Sequence, residues 1–287
     1  MGIGRAVVRD CCHTVTTRAK SLSWRMACAG LLNLGLCGCA GFWDDVTSHD
    51  FEVSSLFVKP NPLQVLKDST DGDKRARALR TLREPKQYGG SDQEQDFVVN
   101  MLTTAAVAEH QYFCRLAAIQ ALGHFKDPRA VKGLEDAYYK ADAEYREGKF
   151  PLDTASAIQC QAIRSLGQTE NPAAVNILVR IVGEARLEGA EKEQQQAMDK
   201  RIAAARALGN FTSYQATESL VKVLQTEKDI AMRDSAHESL KKITKKDFPP
   251  DYQTWNDLLH QSNGKDFGVA EDRGPIDKML GWFGAGN

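Results

Sequence analysis

The ten residues RIAAARALGN at 201–210 have four counterparts in the same chain: RARALRTLRE at 75–84, RLAAIQALGH at 115–124, QCQAIRSLGQ at 159–168 and RDSAHESLKK at 233–242. The fourth residue is always Ala (Ala78, Ala118, Ala162, Ala204, Ala236) and the eighth always Leu (Leu82, Leu122, Leu166, Leu208, Leu240). The seventh is always small: Thr81, Ala121, Ser165, Ala207 and Ser239. Successive leucines lie 40, 44, 42 and 32 residues apart, in or near the range of two-helix repeats. Ala and Leu four positions apart share one face of a helix, and a small seventh column lets a neighbouring helix come close.

Helix ends are marked at matching offsets. Gly123, Gly167 and Gly209 follow the Leu, where a helix C-terminus favours a residue tolerant of φ > 0. Five residues past each Leu come Asp127-Pro128, Asn171-Pro172 and Ser213, N-cap side chains followed twice by Pro at the first helical position. In the first repeat Gly89-Gly90 delays the cap to Ser91, and Glu94 is placed for a capping box. Amphipathic runs fill the spaces between caps and Ala-Leu segments: DFVVNMLTTAAVAE from Asp96, AVKGLEDAYYKA from Ala130, AVNILVRIV from Ala174 and ATESLVKVL from Ala216. The pattern predicts an all-α protein, an α-solenoid of about five antiparallel helix pairs over residues 61–260.

These residues resemble HEAT repeats of the type shared with phycobilisome-lyase-like proteins, with Arg, Ala-x-x-x-Leu-Gly and Asp-Pro at the family's offsets. Residues 241–248 (KKITKKDF), Trp255 and Leu258-Leu259 resemble the capping end of bacterial members. The resemblance implies a fold. It leaves function open, because this fold serves many unrelated partners.

Residues 1–38 carry Arg5, Arg9, Arg18, Lys20 and Arg25 against the single acid Asp10. The rest of the chain holds 32 basic against 37 acidic residues, a mildly acidic body that speaks against nucleic acid as the ligand. Met26–Ala40 is apolar and uncharged, too short to span a bilayer, which needs about twenty residues, and suited to a secretory signal. Its end, Leu36-Cys37-Gly38-Cys39, resembles the bacterial lipobox. On that resemblance residues 1–38 are a lipoprotein-type signal peptide and Cys39 is the lipidated first residue of a membrane-anchored protein of the cell envelope, facing the periplasm. Cys37 offers a competing register, and an unprocessed apolar N-terminus is the other reading. Residues 39–60 read as a tether.

Catalytic chemistry finds little support. His237-Glu238 is a single His-Glu pair, whereas iron-dependent HEAT hydroxylases repeat such pairs along the array. Its counterparts are Leu79-Arg80, Ile119-Gln120, Ile163-Arg164 and Ala205-Arg206, so His237 is expected to be a satisfied, half-buried histidine. His110, His124 and His260 lack metal-ligand spacing, and no phosphate loop, Ser-nucleophile motif or HExxH is present. Cys114 and Cys160 sit at apolar helix positions and are expected as buried thiols. No catalytic residue, metal or cofactor is expected. The leading expectation is a non-catalytic scaffold for a protein partner, and the alternative is an accessory or cofactor-handling protein of the bilin-lyase-like type.

Binding would fall to the polar columns. Second helices of HEAT pairs usually line the concave side, where Arg77, Arg80, Gln120, Gln161, Arg164 and Arg206 would form a stripe; simple solvation of an exposed face is the other reading. The Arg column itself (Arg75, Arg115, Arg201, Arg233) is expected to form inter-repeat salt bridges with acids such as Asp71 and Asp229. Residues 261–287 read as a flexible tail. Near its end Ile276, Met279, Leu280 and Phe283 share one helical face, a segment that either docks on a surface or goes unused.

Overall fold

The computed structural model describes residues 61–185 and 189–267. Among them are eleven α-helices and no strand: α1 (Pro62–Asp68), α2 (Gly72–Thr81), α3 (Asp92–Ala108), α4 (Tyr112–Leu122), α5 (Pro128–Arg146), α6 (Leu152–Gln168), α7 (Ala173–Val182), α8 (Glu191–Leu208), α9 (Tyr214–Thr226), α10 (Ile230–Thr244) and α11 (Tyr252–Gln261). The signal, the anchor at Cys39, the tether and the amphipathic end of the tail lie outside the described residues. Helices α1 to α10 form five antiparallel pairs. The second members (B helices) pack in series, α2 on α4, α4 on α6, α6 on α8 and α8 on α10. The first members (A helices) form the other layer, and α11 closes it on α9. The fold is all-α and solenoid-like, as the repeat predicts.

Capping is local chemistry, and it appears where the sequence places it. Ser91 and Glu94 make a complete capping box, Ser213 accepts from the Ala216 N–H, and Asp127 accepts from the Arg129 N–H with Pro128 opening α5. Asn171 Oδ1 accepts the Ala173 N–H at 3.0 Å, although the helix itself begins only at Ala173. Each cap satisfies backbone donors that a helix start leaves open. Asp127 also accepts from the Arg129 guanidinium and from the buried Gln95 amide, which together hold its carboxyl well below the usual range. Through Gln95, Glu84 and Asp127 the first three pairs share one polar network.

The core is the Ala/Leu column. Ala118, Ala162, Ala204 and Ala236 are fully buried, as are Leu122, Leu166, Leu208 and Leu240. Ala121, Ser165, Ala207 and Ser239 of the small column are buried too. Thr81 is exposed, because no B helix precedes α2 among the described residues.

The glycines after the Leu correct a sequence expectation. Gly123 and Gly209 both have φ of −60°, and Gly167 lies inside α6 with no left-handed backbone. After α6 the positive φ belongs to Glu170. What requires glycine is contact with the next small column. A Cβ on Gly123 would stand 3.0 Å from Ser165 Cα, one on Gly167 would stand 2.8 Å from Ala207 Cβ, and one on Gly209 would stand 3.0 Å from Ser239 Cβ. Ninth-column glycine and seventh-column small residue are thus two halves of one contact between successive B helices. Lys241 replaces Gly in the last pair, where no further B helix follows among the described residues.

Gly167→Ala should therefore destabilise by about 1–2 kcal/mol, the overpacking cost exceeding the helix-propensity gain of Ala. In a double-mutant cycle by urea unfolding, Ala207→Gly should recover part of that loss. Gly183→Ala, which meets only its own helix's carbonyls at 3.4 Å and beyond, should stay within about 0.5 kcal/mol. Strict additivity of the first two changes would refute the contact explanation.

The Arg column forms an inter-repeat ladder, with partners other than Asp71 and Asp229. Those two cap their own helices, α2 and α10. Arg75 donates to the Leu66 carbonyl at 2.8 Å and to Glu109 at 3.1 Å. Arg115 donates to the Ala106 carbonyl at 2.9 Å and to Glu144 at 2.6 Å. Arg201 donates to the Val182 carbonyl at 3.0 Å and pairs with Glu227. Each guanidinium thus satisfies an orphan carbonyl at the end of its own A helix and reaches a carboxylate of the following pair. Gln159 replaces Arg in the third pair, where its Oε1 accepts from Lys200 at 3.1 Å. Arg233, in the last pair, donates to the Pro250 carbonyl.

Candidate binding face on the second helices

Helical geometry decides which columns remain available. With 100° per residue, the sixth position lies roughly opposite the buried Ala of the fourth. The structure places Arg80, Gln120, Arg164, Arg206 and Glu238 all on the exposed surface. The third column behaves differently. Ala117 and Ser235 are buried, Gln161 and Ala203 half-buried, and only Arg77 of the first pair is exposed. Arg206 Nε donates to Ser235 Oγ at 3.2 Å, so the sixth column of one B helix meets the third column of the next. The structure therefore brings Arg80, Gln120, Arg164 and Arg206 onto one exposed face, with Gln161 half-buried and its amide donating to Ser165 Oγ of the same helix.

The arginines of the two layers differ in their partners. On the A helices, Arg129 pairs with Asp96 and Asp127, Arg146 with Asp142 and Arg180 with Glu135, at 2.6–2.8 Å. Arg80 and Arg164 have no carboxylate within ion-pair distance among the described residues, and Arg206 meets only the Ser235 hydroxyl.

Residues with reactive chemistry are otherwise engaged. His237 packs edge-on against Trp255 and shares a 2.7 Å hydrogen bond with the Phe248 carbonyl, the satisfied half-buried state expected of it. The Trp255 indole donates to the Pro249 carbonyl in the linker before α11, and its ring contact with His237 of α10 ties the closing helix to the last pair. Cys114 and Cys160 are free thiols, Cys114 buried and Cys160 half-buried. Burial pushes both thiols and the Tyr138 phenol up, away from their nucleophilic forms. Among the described residues no group of three His, Cys, Asp or Glu side chains could hold a metal, and no helix is long and apolar enough to cross a membrane.

The family models for HEAT repeats and for the PBS lyase HEAT-like repeat match residues 60–148 and 200–226. The first covers the two opening pairs and all of α5, the second the end of α8 and all of α9. This is a HEAT-repeat protein. No curated protein matches it.

In this HEAT-repeat protein the sequence missed Glu109, Glu144 and Glu227 as ladder partners. A signal for two of them was present, since Glu109 and Glu227 each stand six residues before the Arg of their own repeat, Arg115 and Arg233. Phe97 and Phe113 are also large, exposed apolar residues that the repeat pattern does not single out.

Proposed function

We propose that this HEAT-repeat protein is a non-catalytic adaptor, held at an envelope membrane through an acylated Cys39 and facing the periplasm, that grips a protein partner along the exposed face of its B helices. The observation that carries the reading is the contrast in charge pairing. Among the described residues, Arg80, Arg164 and Arg206 have no carboxylate partner on a face built by four successive B helices, while the A-helix arginines are neutralised. Polar side chains displayed at a fixed register by a rigid repeat suit recognition of an extended surface. The lipid anchor rests on the lipobox resemblance of residues 36–39.

A photo-crosslinking residue at Gln120, in the middle of the face, should capture a partner in intact membranes. The same residue at Lys132, on α5 of the A layer, should capture much less. Cys39→Ser should move the protein into the soluble fraction, and Cys37→Ser should not. Equal crosslinking at both sites would remove the B-face assignment, and a mature N-terminus at Met1 by mass spectrometry would remove the anchor.

A further inference from the structure

We infer that the B-helix face takes an extended acidic segment of its protein partner, about nine residues long, with carboxylates facing the first, third and fourth of four rungs about three residues apart, ending against a surface of opposite charge on α10. This rests on the adaptor reading above and specifies its ligand.

Spacing gives the length. Packed helices stand about 8–10 Å apart, so the three steps from α2 through α4 and α6 to α8 span roughly 24–30 Å. An extended chain advances about 3.3 Å per residue, so one helix step corresponds to about three residues and the whole stripe to about eight or nine. Arg80, Arg164 and Arg206 supply guanidinium forks for three carboxylates. Gln120 fills the rung between the first two and makes no side-chain hydrogen bond among the described residues, so its amide is free for a backbone or side-chain polar group.

The sign then reverses. On α10 the exposed polar side chains are Asp234, Glu238 and Lys242; Glu238 holds the sixth column and is shared by Lys241 at 3.4 Å, while Lys242 is held by Asn210 Oδ1. A uniformly acidic ligand would be repelled there, so a ligand that continues onto α10 turns basic or neutral. This reversal, with an overall charge of −1, favours a protein segment over a polyphosphate chain, which keeps one sign along its length.

The test uses the full chain and fluorescent peptides of about ten residues. The first has Glu at the positions facing the first, third and fourth rungs and Lys at one end. A second has the same composition with the glutamates consecutive, a third has Lys for Glu, and a fourth has phosphoserine for Glu. Anionic phosphatidylglycerol vesicles make a fifth arm. The first peptide should bind best, and more weakly as salt screens the pairs. Arg80→Gln, Arg164→Gln and Arg206→Gln together should weaken it by about ten-fold, three exposed pairs being removed. Arg180→Gln on the A layer should change it by less than about two-fold. The charge-reversed triple variant, Glu at the same three positions, should prefer the third peptide and so control for loss of folding.

Equal binding of the first and second peptides would overturn the register. Indifference to both triple variants, or tighter binding of the phosphoserine peptide or the vesicles, would overturn the carboxylate assignment. Crosslinking at Gln120 that survives the Arg→Gln changes would sink this ligand and leave the adaptor standing. Absence of that crosslink would sink the adaptor reading itself.

Discussion

Leu166→Ala is expected to destabilise the protein by about 2–5 kcal/mol, the range of buried Leu truncations. Leu166 is completely buried in α6, and α6 packs on its own A helix α5 and on both neighbouring B helices, α4 and α8. The lost methyl groups forfeit their transfer energy and leave a cavity that a helix held on three sides cannot easily collapse. In a repeat array each unit rests only on its neighbours, so the loss should spread to α4 and α8 before it reaches α2 or α10. Urea unfolding measures the total, and amide exchange helix by helix measures the spread. A change within about 0.5 kcal/mol would mean that the Leu column is not the core.

Arg115→Ala should be nearly as costly, about 2–4 kcal/mol, because it strands a charge. Arg115 is only 1% exposed, and the Glu144 side chain it pairs with is 13% exposed. Removing the guanidinium leaves the Ala106 carbonyl without its donor and Glu144 with only Lys140, at 3.9 Å. That residual partner and the partial exposure of Glu144 keep the loss at or below the usual 3–5 kcal/mol for breaking a buried pair. The Phe150 ring, 5.6 Å from the guanidinium carbon, would lose its cationic neighbour as well. Arg115→Gln combined with Glu144→Gln should be much milder than Arg115→Ala, since no unpaired charge remains and Gln159 already fills this column in the third pair. If the neutral pair proved as destabilising as Arg115→Ala, the cost would lie in packing and not in charge.

The exposed stripe was half legible in the sequence. The sixth column could be placed away from the core, because 100° per residue fixes its angle to the Ala and Leu columns. The third column sits on the flank, and its exposure depends on a neighbour. Arg77 is exposed on the first B helix and Ser235 is buried against the preceding one, with no difference in the repeat pattern to announce it. Gln161, expected beside Arg164 on the surface, is half-buried.

What the sequence by itself determined is whatever acts within a few residues: the helical faces from Ala and Leu four apart, the caps at Ser91, Asp127, Asn171 and Ser213, and so the five pairs. These follow from hydrogen bonds and side-chain neighbours one turn apart. Only the tertiary structure decided why the glycines are glycine, which carboxylate meets which arginine, and which polar columns stay uncovered. Those outcomes join residues 26 to 34 positions apart in the Arg ladder, and about forty apart where Gly167 meets Ala207. At such separations the partner is chosen by how one helix pair seats on the next. A glycine that looks the same under either explanation has its reason settled by the helix that leans on it.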